Sequence, residues 1–199
     1  GLRAGDNLFV DENGRFEPWA YLPAYVRRYP FVSAVHGEGG DRFTVCVDAG
    51  SDLVSDQPNE PFFNEQGEPT DYTQRAIEFV RRFEADVANT NQFVEAMKEL
   101  ELFDQQTATF QPRDPQGNPQ GEPQTVATYW AISGNKLREL PAQKLVELRD
   151  NTYLGAIYAH MLSLPHWDTL IQRAVDRANR AGAANGAAPA SNISAPPEV

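Results

Sequence analysis

A chain of 199 residues, 41% of them hydrophobic, is long enough to bury the core of a single domain, which typically runs to about 100–200 residues. Its net charge of −11 sets it against nucleic-acid backbone and anionic membrane surface, and no basic stripe relieves that charge. No apolar run approaches the roughly 18 residues of a membrane helix, and Cys46, the single cysteine, excludes an internal disulfide.

In chain order, Asn7–Glu17 reads as a hairpin turning at Asn13-Gly14, where glycine supplies the positive φ of a tight turn. Leu8, Val10 and Phe16 then face a core. The stretch Trp19–Asp48 is the densest in signals. Pro23 suits the start of a helix, where its missing N–H costs nothing, so Ala24–Arg28 is predicted helical with its cations at the negative end. Pro30 drives Tyr29 toward extended backbone. Strands are predicted over Phe31–Val35 and Phe43–Val47, joined through the turn cluster Gly37–Asp41 as an antiparallel hairpin. Cys46 in the second strand reads as a small core residue. Phe43–Gln74 holds seven acids and no lysine or arginine. Asp48, Asp52, Asp56 and Glu60 recur every fourth residue, which fails the alternating pattern of an EF-hand loop. With Pro58 and Pro61 interrupting, the segment reads as a solvated acidic loop.

Thr70 is predicted to cap a helix with Asp71 in its first turn. Tyr72, Ala76, Ile77, Phe79, Val80, Phe83 and Val87 make its apolar face. Asn89-Thr90-Asn91 reads as a break, with Thr90 capping a second helix that carries Phe93, Val94, Met97 and Leu100. Gln105–Phe110 and Thr125–Ile132 read as strands. The link Gln111–Gln124, with four prolines and two glycines, is expected to be a long mobile loop. Helices follow over Pro141–Arg149 and Tyr153–Leu164. After a break at Leu164-Pro165 comes an amphipathic helix with Trp167, Leu170, Ile171, Ala174, Val175 and Ala178 in its stripe. Residues 181–199, twelve of them Ala, Gly or Pro, are expected to form a disordered tail. No internal repeat is read. The sum is one α+β domain over 1–180, an antiparallel sheet of about four to six strands packed against helices from the middle and C-terminal third.

Three motif groups resemble one bacterial family: Asn7-Leu-Phe-Val-Asp11, then Tyr21-Leu-Pro-Ala-Tyr-Val-Arg-Arg-Tyr-Pro-Phe-Val32, then Phe43-Thr-Val-Cys-Val-Asp48. The Gly-Glu-Pro-Thr entry to the central helix, Leu137–Leu140 with Pro141, and Ile157-Tyr-Ala-His160 continue the likeness to about residue 175. The chain is similar to the SapC family. That resemblance implies a link to surface-array (S-layer) proteins and their export, and a further N-terminal region ahead of the Asn7 motif that this chain lacks.

No catalytic signature stands out. There is no G-x-S-x-G elbow, and Gly37-x-Gly39-Gly40 leads from strand to strand rather than into a helix, which removes the nucleotide-loop readings. His36, His160 and His166 lack ligand spacing. No catalytic residue, metal or cofactor is therefore expected, and a non-enzymatic role is favoured. Arg27-Arg28 reads either as a guanidinium fork for carboxylate or phosphate or as a helix C-cap with a salt bridge to the acids downstream. With Tyr25, Asp48 and His36 it forms the candidate ligand site. Tyr129-Trp130, beside the long link, forms a candidate interaction surface. The leading expectation is a cytoplasmic or envelope-associated bacterial protein acting through an envelope or S-layer protein partner. The alternative is an enzyme or accessory subunit for peptide or carbohydrate substrates, with an Arg-lined anion cleft.

Overall fold

In the computed structural model Pro23 precedes the first helix, α1 (Ala24–Arg27), and Arg28 closes it by donating its N–H to Ala24. Tyr29 and Pro30 turn the chain, and β1 (Phe31–His36) pairs antiparallel with β2 (Arg42–Val47), Phe31 facing Val47. The structure describes residues 1–2, 5–36, 42–57, 59–114 and 116–184. The turn cluster Gly37–Asp41 and residues 185–199 lie outside them, as do the side chains of Val35, His36, Arg42, Phe43 and residues 182–184. The chain divides into two compact units: an inserted unit, Tyr21–Glu95, and a terminal unit, Gly1–Ala20 with Ala96–Val199.

In the inserted unit the long helix α2 (Asp71–Glu99) begins where expected. The Thr73 N–H donates to Thr70 Oγ1 at 3.4 Å, and Thr70 in turn donates its hydroxyl to the Pro61 carbonyl at 2.7 Å. Phe31 of β1 is buried against Phe62 and Tyr72, with ring centres 5.6 and 6.0 Å away. The expected break at Asn89-Thr90-Asn91 does not occur, and α2 continues through it. Thr90 donates its hydroxyl to the Asp86 carbonyl, one turn back, at 2.7 Å, instead of capping a new helix. Asn and Thr cost a helix only a few tenths of a kcal/mol each, and no Gly or Pro occurs in the span to do more. Cys46 is half-buried rather than a core residue.

In the terminal unit β3 (Phe103–Phe110) and β4 (Gln124–Ile132) form a second antiparallel hairpin, irregular at Ala108/Thr109. Then come α3 (Gly134–Glu139), α4 (Ala142–Asp150), α5 (Tyr153–Ser163) and α6 (His166–Ala184). Val126 of β4 and Ile171 of α6 are buried together, with Leu2, Phe110, Ala174 and Val175 packed on them, so the apolar stripe of α6 is a core face. His160 of α5 accepts the Ile132 N–H on Nε2 at 3.1 Å. The N-terminal segment is pinned to α6 by two arginines. Arg177 donates to Asp6 Oδ1 (3.0 Å) and to the carbonyls of Asn7 (2.8 Å) and Val10 (2.7 Å). Arg173 pairs with Glu17 and lies over the Phe9 ring at 4.7 Å.

The α+β class holds, but the strands are divided differently. Among the described residues the four named strands form two separate two-stranded sheets, not one larger sheet. The link 111–124 is not a featureless loop: Arg113 bridges Pro119, and the Gln111 side chain donates to the Gly121 carbonyl at 3.0 Å. Helix α6 runs on to Ala184, four residues into the stretch expected to be a tail.

One five-residue turn also recurs, at Asp11–Arg15, Asn64–Glu68 and Asp114–Asn118. In each, the first side chain's Oδ1 accepts the N–H groups two and four residues on, at 2.8–3.0 Å. Its carbonyl accepts the N–H of a glycine three residues on, which has φ of 76°, 79° and 87° in turn. Short bridges close the three turns, Val10–Phe16, Phe63–Pro69 and Arg113–Pro119. The shared pattern is Asp or Asn, any residue, an amide, then Gly, the residue that takes positive φ without strain.

Candidate functional site

The aromatic rows of the inserted unit organise its cations. On α2, Phe79 and Phe83 stand one turn apart. The Arg27 guanidinium lies over Phe79 at 5.3 Å and over Tyr21 at 5.4 Å, and it donates to the Tyr21 hydroxyl at 3.2 Å. The Arg28 guanidinium lies over Phe83 at 4.8 Å and over Tyr25 at 4.5 Å. Both sit on the electron-rich ring faces that attract guanidinium. The two side chains differ in what else they meet. Arg28 is only 14% exposed and pairs with Glu84 at 3.6 Å, while donating to Ser33 Oγ at 3.3 Å. The Ser33 hydroxyl donates in turn to the same Glu84 carboxylate. Arg27 is exposed and has no acidic partner among the described residues.

A cleft of about 190 Å³ opens beside this pair. Its cations are Arg27, Arg28 and Arg75, and Tyr29, Phe31, Tyr72 and Phe79 wall it. Arg75, exposed on α2, also has no acidic partner among the described residues. In a chain of net charge −11, the cleft brings together two guanidinium groups without an acidic partner among the described residues; planar N–H donors of this kind suit a carboxylate or phosphate. A second hollow of about 240 Å³ lies farther along α2 between Ala24, Phe83, Asp86, Val87, Thr90 and Asn91, with no cation in its lining.

Of the residues singled out from the sequence, Arg27 and Arg28 line the cleft, and Tyr25 stacks on Arg28 beside it. Asp48 is not in its wall; it accepts the Tyr29 hydroxyl at 2.9 Å and so holds a wall residue. The His36 side chain lies outside the described residues. Sequence reasoning missed Arg75, Tyr72 and Phe79 as cleft residues. Their spacing, 72, 75 and 79, is that of one helix face; from the sequence Tyr72 and Phe79 read only as core, and Arg75 is not singled out. The salt bridge expected from Arg27-Arg28 to the acidic loop goes instead from Arg28 to Glu84 on α2.

In the terminal unit the pair Tyr129-Trp130 divides, as neighbours on a strand must. Tyr129 is half-buried, its ring centre 5.0 Å from that of Trp167. Trp130 faces the other way and is 65% exposed.

Fold and site together define an α+β protein of two small hairpins with helices, carrying an arginine- and aromatic-lined cleft. The SapC family model matches residues 1–170, and the chain belongs to the SapC family. No curated protein and no solved structure matches it.

Proposed function

We propose that this SapC-family protein acts by binding rather than by catalysis, holding a protein partner of cell-envelope or S-layer biogenesis through the arginine cleft of the inserted unit. The observation that carries this reading is the pair Arg27 and Arg75, both without an acidic partner among the described residues, on one aromatic-walled cleft. The cleft's size favours a protein partner over a free small molecule. At about 190 Å³ it is smaller than the roughly 300–1,000 Å³ of pockets that enclose small ligands. A carboxylate side chain presented by a partner surface fits such a space, with the aromatic walls excluding water around the ion pair.

A photo-crosslinking amino acid in place of Tyr25, in the bacterium that makes the protein, tests this. The expected result is an adduct with an envelope or surface-layer protein, lost when Arg27→Ala and Arg75→Ala are combined. An adduct yield indifferent to both arginines, or adducts only with proteins unrelated to the envelope, would contradict it.

A further inference from the structure

The exposed face of the β3–β4 hairpin is a second surface, independent of the cleft. Three successive cross-strand pairs occupy it: Gln105 with Trp130, Thr107 with Thr128, and Thr109 with Thr125. All six residues are exposed. None carries a charge, in a chain where 23% of residues do. Neither the four hydroxyls nor the Gln105 amide makes a side-chain hydrogen bond within the chain among the described residues, so each is free for an outside partner. Threonine is common in strands because a β-branched side chain suits the pleat, so the threonines alone would need no explanation. Trp130 is different. It leaves 65% of its surface in water and stacks on no other ring among the described residues, while its neighbours Ala131 and Ile132 are buried.

From this array we infer that the β3–β4 face is a binding platform for a neutral glycan. The chemistry of a sugar ring matches the face on both counts. Its flat C–H side packs on an indole, as apolar groups do on aromatic faces. Its hydroxyls both donate and accept, as do the threonine hydroxyls and the glutamine amide lining the rest of the array. Rows on a strand face lie about 7 Å apart and strands about 5 Å apart, so the three rows form a strip about 14 Å long, enough for a few linked sugars. An anionic glycan would find no cation among the six side chains. An apolar partner would bury unpaired hydroxyls at a cost.

The test uses the full chain and four neutral probes, the tetrasaccharides of cellulose, chitin, starch and mannan. The readout is the indole Nε1–H resonance of Trp130, assigned through Trp130→Phe. The expected result is that at least one tetrasaccharide shifts this resonance saturably, leaving Trp19 and Trp167 unmoved. Trp130→Ala should weaken that binding about tenfold or more, and Thr107→Val or Thr128→Val about threefold each, since each removes a hydroxyl at nearly constant shape. Because all three positions are exposed, circular dichroism should show the variants folded. Absence of saturable binding by all four probes, or equal affinity in folded Trp130→Ala, overturns the proposal. So does a Trp130 shift produced only by raising the protein's own concentration, which would mark the face as a self-contact.

Discussion

Arg27 and Arg28 are sequence neighbours with different physical commitments. Arg28 is largely enclosed, tied to Glu84 and Ser33, and in contact with the faces of two rings. Removing it strands a carboxylate that is 21% exposed. Arg28→Ala is therefore expected to cost about 1–3 kcal/mol of stability, measured by urea unfolding. Arg27 has no ion pair to lose among the described residues, so Arg27→Ala is expected to cost less than about 1 kcal/mol, the range of an exposed cation on rings. Equal losses would mean that both arginines are structural.

Glu17 gives a pH prediction at the same scale. Its hydrogen bond from Arg173, aided by the guanidinium's charge, holds its carboxyl below the usual carboxylate range, against a smaller opposing effect of burial. A carboxyl depressed in the folded state adds stability above its unfolded value, about 4.3, and loses that contribution as pH falls through the lower folded value. Amide exchange across Asn7–Glu17, corrected for intrinsic rates, is thus expected to speed up as the pH drops below about 4. Protection that stays flat through that window would show that Arg177 and the packing of Phe9 hold the segment without Glu17.

Among the elements, α2 gives a test whose sign matters. If Thr90 were the cap of a new helix, Thr90→Ala would destabilise by about 1 kcal/mol. Within a continuous helix, where its hydroxyl only bonds back to Asp86, the same change is expected to be neutral or to stabilise by up to about 0.5 kcal/mol. Chemical denaturation distinguishes the two. Most elements were legible from local signals. Pro23 and Pro30 bound α1, Thr70 marks the start of α2, and strand-type runs mark the four strands named among the described residues. What failed was non-local. Asn89-Thr90-Asn91 reads as a break because weak helix formers look like caps when the packing that sustains the helix is invisible. The sheet was expected to be larger because strand runs do not say which strands pair. The thrice-used turn is hard to see in the sequence because DENGR, NEQGE and DPQGN have only the glycine in common outright, the first and third positions being shared by type alone.

For the whole molecule, composition set a useful bound. Against a net charge of −11, two arginines with no acidic partner among the described residues stand out. Arg27 was visible as a cleft candidate because it sits in a conspicuous Arg-Arg pair. Arg75 was not, since it reads as one more charge on a helix until α2 is seen to carry it to the same cleft. Family membership extends over residues 1–170 and so takes in the whole inserted unit, cleft included. The most direct test of the account is an NMR titration of the arginine Nε–H signals with a short glutamate-rich peptide. Saturable shifts are expected at Arg27 and Arg75, with Arg28, already held by Glu84, and the loop residue Arg113 nearly unmoved. Shifts that are absent, or equal at every arginine, would contradict it.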